Sequence, residues 1–294
     1  MPRLGIIGIE NSHTDHFIRH LNQEQRFDDS RVVAIVRGED ARVETLTAAD
    51  PLQVVDSPAE LVDLVDAAIV CSRDGSLHPQ QAEPLLAAGK PVLIDKPLAT
   101  SLEAAEALVR RSAEASVQPL SASAVRFTPQ VEELLAARER TGPFHAVSVT
   151  GPADPTSPYA GIFFYGIHTV ETALLLAGAG DRQPNLDDLV VRQQDAVIVA
   201  MLEIGSVLVT MRFVAPDEHG QVPFHAAVYG RHGSLAKDLI LGPDYNLPLL
   251  ERFMTILGGG SADVGGLSLL TPVAVTERIG AVLRPTDPRI RSAH

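Results

Sequence analysis

Over its first 122 residues the chain alternates short apolar runs with amphipathic stretches, and this alternation restricts the fold more than any other feature of the sequence. Apolar runs at 4–9, 32–36, 54–55, 67–71, 92–94 and 117–120 have the length and aliphatic content of short strands. Helix signals lie between them. In Ser57-Pro58-Ala59-Glu60 a capping serine precedes a first-turn proline, and the glutamate is placed to return the capping hydrogen bond. A helix over 79–88 ends at Gly89, which suits the left-handed position after a helix, and Lys90 suits the negative end of its dipole. Such an order of elements predicts a parallel sheet.

Beyond residue 122 the pattern changes. Longer runs at 144–150, 189–193, 196–204, 206–215 and 222–229 are joined by hairpin-like turns such as Ile204-Gly205, and Gly230-Arg231-His232-Gly233 punctuates the next strand. This half predicts an open, mostly antiparallel sheet, with helices near 128–140, 167–177, 247–257 and 271–283. The expected fold class is α/β. An N-terminal Rossmann-type parallel sheet occupies residues 1–121, and a C-terminal α/β domain with the open sheet occupies 122–294. An uncovered sheet face predicts a homo-oligomer.

A chain of 294 residues, 45% of them hydrophobic, is long enough for two folded cores. Its net charge of −13 argues against nucleic acid or an anionic membrane as partner and leaves small molecules. The lone Cys71 has no internal disulfide partner, and the start lacks the pattern of a secretion signal, so a cytoplasmic location is expected. Cys71 ends an apolar run and reads as a small core residue.

Chemistry is concentrated in Pro91-Val92-Leu93-Ile94-Asp95-Lys96-Pro97. The apolar strand stops at Pro97, which has no ladder N–H, and so presents Lys96 at a strand's carboxyl end, where open α/β sheets bind ligands. An ammonium there can exchange a proton with a substrate hydroxyl or carbonyl. On this segment alone, that role and a solvated turn lysine weigh equally.

The turn after the first strand reads Gly8-Ile9-Glu10-Asn11-Ser12-His13. Of the glycines in the dinucleotide fingerprint GxGxxG only the first is present, with Glu10 in the second slot and His13 in the third. Ser12 and Asp15 are spaced as a capping pair for the following helix. Asn11, Ser12 and His13 offer side-chain hydrogen bonds to a phosphate. Arg37, at the end of the second strand, favours a 2′-phosphate and hence NADP, although strand-end arginines are commonly just solvated. His13, His16 and His20 share one helical face. A polar face outweighs a metal site there, because no fourth ligand stands at a recognisable spacing.

Asp95-Lys96-Pro97, Gly166-Ile167-His168-Thr169-Val170-Glu171 and the Gly230 to Gly233 strand end, in that order behind a Rossmann-like half, resemble the Gfo/Idh/MocA oxidoreductases. Gly75-Ser76-Leu77-His78 and Arg126-Phe127-Thr128-Pro129 add to the likeness, which extends over nearly the whole chain. The resemblance implies a dinucleotide-binding domain over 1–121, a substrate-binding and oligomerisation domain over 122–294, a homodimer or homotetramer, and a sugar-like or polyol-like substrate. It implies NAD(P)-dependent hydride transfer with Lys96 and His168 moving the proton. Gly8, Asn11, Ser12, His13, Arg37, Ser72, His78 and Lys96 are then expected at the cofactor, and Lys96, Arg126, Tyr165 and His168 at the substrate. In this chain Phe164 stands where such proteins often carry an aspartate, and Glu171 replaces the aspartate after the histidine. These departures keep a second reading open: a non-redox ligand-binding or acid–base protein on the same scaffold.

Overall fold

A computed structural model describes residues 2–28, 30–180, 182–262 and 266–283. The first sheet is parallel, with strands β1 (Arg3–Ile7), β2 (Arg31–Val36), β3 (Gln53–Val55), β4 (Ala67–Val70) and β5 (Val92–Ile94) in the order β3-β2-β1-β4-β5. Helices α1 (Ser12–Ile18), α2 (Asp40–Ala49), α3 (Pro58–Leu61), α4 (His78–Ala87) and α5 (Leu102–Glu114) connect or follow these strands. Helix α4 ends as its sequence indicates: Gly89 has φ +71°, and Lys90 N donates to Leu85 O.

Both faces of this sheet are covered, which is why its strands are apolar throughout. Leu4, Ile6, Ile69 and Cys71 pack on one face with Phe17 and Leu21, while Ile7, Val70 and Ile94 pack on the other with Leu85 and Leu86. The run at 117–120 is not a full sixth strand. Leu120 makes a single parallel bridge to Leu93, because Pro119 has no N–H with which to extend a ladder.

After α6 (Pro129–Ala136) and α7 (Arg138–Thr141), β6 (Phe144–Pro152) opens the second sheet. It is joined by β7 (Val190–Gln194), β8 (Val197–Ile204), β9 (Val207–Val214), β10 (His225–Gly230) and β11 (Gly233–Asp238), in the order β11-β10-β6-β9-β8-β7. Every neighbouring pair is antiparallel except β6 and β9. Pro223 lies between residue 222 and the observed start of β10 at His225, where a ladder donor would be missing.

Helix α8 (Phe163–Ala177) covers this sheet with Val170 and Leu174, while Phe163 at its start packs into the core of the first sheet. It begins earlier than its periodicity suggests, so His168 lies within the helix and not at its entrance. The chain then returns. Helix α9 (Leu247–Leu257) lays Leu249, Leu250, Phe253 and Ile256 against the Leu4, Ile6 and Phe17 face of the first sheet, and α10 (Thr271–Leu283) packs mainly on α8. Among the described residues no helix is long and apolar enough to cross a membrane.

Candidate active site

The carboxyl ends of β1, β4 and β5 open onto a cavity of about 280 Å³, closed on the other side by the start of α8 and the loop before α9. Its wall includes Asn11, Ser12, His13, Ser72, Lys96, Tyr165 and His168, all expected from the sequence. A second crevice, lined by Gly8, Glu10, Arg37 and Glu39, continues from it, and Ser72 and Arg73 line both. The crevice lies between β1 and β4, where the direction of strand succession reverses and open α/β sheets bind their ligands.

Lys96 leaves β5 half-buried. Its Nζ donates to Phe164 O at 3.4 Å and lies 5.4 Å from the centre of the Phe164 ring and 6.0 Å from that of Tyr165. The lysine thus meets π faces and a backbone carbonyl. His168 Nδ1 is 2.6 Å from Ser123 Oγ, which leaves Nε2 for the cavity. Burial, reinforced by the nearby Lys96 ammonium, holds this imidazole well below the ordinary histidine range, so it is neutral at neutral pH.

Glu171 acts one step behind the histidine. Its Oε2 accepts from Ser123 N at 2.8 Å and from Arg126 Nη1 at 3.1 Å, and so fixes the serine that holds His168. Burial raises the Glu171 carboxyl, with Arg126 opposing. Arg126 is thus placed in a buried ion pair and, among the described residues, is not on the wall of the main cavity where a substrate contact was expected. His78 is also away from that wall. It is fully buried, with Nδ1 2.7 Å from Pro97 O and Nε2 2.9 Å from Ser72 O, and it ties the turn after β4 to the turn after β5.

The first turn is built differently from the spacing reading. Asn11, not Ser12, caps α1: its Oδ1 accepts from His13 N at 2.7 Å and Thr14 N at 3.4 Å, and its Nδ2 donates to Cys71 O. Asp15 pairs with Arg42 instead. Gly8 has φ +86°, and a Cβ there would run into the Ser72 backbone, so this position requires glycine. Glu10 folds across to the end of β2, against Gly38, and accepts from Glu39 N at 3.2 Å. Arg37 Nε donates to Asp56 Oδ1 at 2.8 Å.

The three histidines of the first helix separate. His13 faces the cavity, with Nδ1 2.7 Å from Asp95 Oδ2 and Nε2 2.6 Å from Tyr245 OH. His16 stacks on His13 with ring centres 6.4 Å apart. His20 is fully buried in a π-helical turn and bonds Glu24. Asp95, Ser123 and Tyr245 escaped the sequence reading as site residues. Only Asp95 lay in a motif that drew attention.

Residues 2–123 match the oxidoreductase family with an NAD-binding Rossmann fold. That stretch is similar to the Gfo/Idh/MocA domain. An inositol 2-dehydrogenase of Cereibacter sphaeroides is 35% identical to this chain over 116 residues, 37% of this chain and 34% of the relative. One from Mycolicibacterium smegmatis is 31% identical over 135 residues, 45% and 38% of the two chains. The matched stretch spans little more than a third of these curated relatives. Similarity of fold extends further. The scyllo-inositol dehydrogenase of Lactobacillus casei, solved with NAD(H) and scyllo-inositol, superposes with a TM-score of 0.74 at 14% identity, covering 96% of this chain and 95% of its own. GenD2 from gentamicin A biosynthesis, solved with NAD, gives 0.75 at 17% identity over 95% and 92%.

Proposed function

We propose that the protein is a nicotinamide-dinucleotide-dependent dehydrogenase acting on a hydroxyl of a ring polyol. The observation that carries the reading is the meeting of Lys96 and His168 on one cavity that continues, past Ser72 and Arg73, into the crevice beside Gly8. The names of the relatives, inositol 2-dehydrogenases, support a cyclitol-like substrate.

The crevice fits a dinucleotide in spite of the altered turn, because Glu10 is folded away from the start of α1 and onto the end of β2. There a carboxylate suits ribose hydroxyls, the part usually played by an acid at the end of the second strand. Glu10 and Glu39 would repel a 2′-phosphate, and Arg37 is engaged by Asp56, so the reading takes NAD as the cofactor although Arg37 alone argues for NADP.

Bound nicotinamide would supply the hydride acceptor. This chain's own groups manage the hydroxyl. The Lys96 ammonium donates to its oxygen and stabilises the negative charge that grows as the C–H bond breaks, while the neutral His168, with Nε2 on the cavity, positions the hydroxyl. Tyr165, Phe164 and Phe224 line the space and limit water. Purified protein with NAD and either myo-inositol or scyllo-inositol tests the reading. NADH formation and quenching of protein fluorescence by NAD support it, and absence of dinucleotide binding returns the site to the non-redox acid–base reading.

A further inference from the structure

Neither Lys96 nor His168 is suited to keep the proton that oxidation releases. The ammonium already holds its full set of protons. A protonated His168 would be buried next to that ammonium, with a serine hydroxyl, among the described residues, as its only polar contact at Nδ1. The cavity wall holds a better acceptor. Asp95, His13 and Tyr245 form a continuous chain of hydrogen bonds, 2.7 Å from Asp95 Oδ2 to His13 Nδ1 and 2.6 Å from His13 Nε2 to Tyr245 OH, and all three residues line the space shared with Lys96 and His168.

The direction of this chain follows from its charged end. Burial works to raise the Asp95 carboxyl, but His13, Lys96 and His78 outweigh it and keep the group ionised. With a carboxylate at Nδ1, a neutral His13 carries its proton there and turns the lone pair of Nε2 to Tyr245, which donates its hydroxyl proton. An imidazolium at His13 is then stabilised by Asp95 in a way that one at His168 is not. Other titratable groups around the chain include His16, which stacks on His13, His78, which acts on Asp95, and Lys96, Arg73, His168 and Tyr165 on the cavity wall. The three members come from the first turn of α1, the end of β5 and the loop before α9. His13 occupies a fingerprint slot where glycine would have no side chain to offer.

We propose that Tyr245, His13 and Asp95 are a proton relay of this site, with Tyr245 taking the proton of the reacting hydroxyl as it passes its own to His13 Nε2. The proposal rests on the dehydrogenase reading. One O–H bond breaks on the substrate and one forms on Tyr245, while the original Tyr245 O–H breaks and an N–H forms on His13. The C–H hydrogen leaves with its electron pair for nicotinamide dinucleotide, so the alcohol is oxidised, the dinucleotide is reduced and the relay itself undergoes no redox change. Reduction of a ketone runs the same transfers backwards.

The test uses the full chain with Tyr245→Phe, His13→Gln and the double variant, with NAD and myo-inositol or scyllo-inositol as probes. Each single change should lower kcat by about 10²–10³-fold, the range of a lost acid–base group, while the Kd for NAD stays within about twofold. The double variant should be no slower than the slower single one, since the two residues act as a unit. Losses below about threefold, or a double variant showing the product of both losses, overturn the relay. Proton NMR of the protein alone needs no substrate. A downfield His13 Nδ1–H resonance, abolished by His13→Gln and Asp95→Asn and shifted by Tyr245→Phe, supports the relay whichever polyol the protein takes, and its absence or indifference to Tyr245→Phe overturns it. A parent protein that binds no NAD overturns the dehydrogenase reading and the relay together, whereas variants with full turnover overturn the relay alone.

Discussion

At the scale of single residues, the site depends on which charges are left to face a ligand. Lys96 is a cation on the cavity wall, held by a carbonyl and two aromatic rings with no carboxylate among the contacts described. Replacing it with methionine keeps the stem's apolar packing and removes the charge. Lys96→Met is expected to lower cyclitol turnover to background with NAD binding and the unfolding midpoint little changed, as measured by NADH formation, fluorescence titration and urea denaturation. Glu10 decides a different question. Glu10→Gln retains an oxygen to accept from Glu39 N but removes the repulsion a 2′-phosphate would feel, so the ratio of NADP to NAD affinity should rise by about tenfold, equivalent to ~1.4 kcal/mol. An unchanged ratio in parallel titrations would assign cofactor choice to some other group.

At the scale of elements, short segments are fixed by side chains at their ends. Helix α1 is only seven residues long, too short to persist by propensity, and relies on the Asn11 cap and on burial of Phe17 and Ile18. Asn11→Ala should therefore cost ~1 kcal/mol or somewhat more, since Cys71 O loses its donor as well as the helix its cap. Urea unfolding measures the loss, and His13, two residues into the same turn, should show altered ring resonances. The burial that keeps α8 on its sheet has a counterpart in pH. His168 has a folded pKa below its unfolded value, so the unfolded chain binds the extra proton, and stability is full above about pH 7 and falls as pH drops through about 6.5. The low-lying Asp95 makes no opposing change in that window, because its contribution is lost only below about pH 4. The urea midpoint should fall between pH 7.5 and 5.5, and by less in His168→Gln.

At the scale of the molecule, the second sheet shows one face to α8 and, among the described residues, leaves the other uncovered, with Leu208, Val197 and Val190 exposed on β9, β8 and β7. We propose that a second copy of the chain covers this face. Sedimentation at micromolar concentration should report a dimer or tetramer, and Leu208→Glu should shift it toward monomer; a monomeric parent would refute this. The same scale accounts for the relay. Helix α9 brings four apolar side chains back to the first sheet, and Tyr245 and Asn246, just ahead of it, are carried to His13 and His16.

How much of this could be read beforehand follows from the range of the interactions. Strand positions in the first sheet, the end of α4 at Gly89, the need for glycine at position 8, and the placement of Lys96 at a strand's end are set by periodicity and backbone chemistry within a few residues. The order of motifs was enough to point to the Gfo/Idh/MocA family, whose model matches residues 2–123. Local spacing misjudged the cap of α1, because Asn11 and Ser12 are both good caps and only contact with Cys71 O selects the first. Arg126 is polar and near a recognisable motif, yet its guanidinium meets Glu171, 45 residues on, inside the core. Tyr245 is 232 residues from His13 and belongs to no pattern. The sequence by itself determined the two sheets and the lysine between them, since those follow from local apolar periodicity. Only the tertiary structure decided which polar side chains pair, because partners so far apart in the chain are chosen by how the sheets and α9 pack.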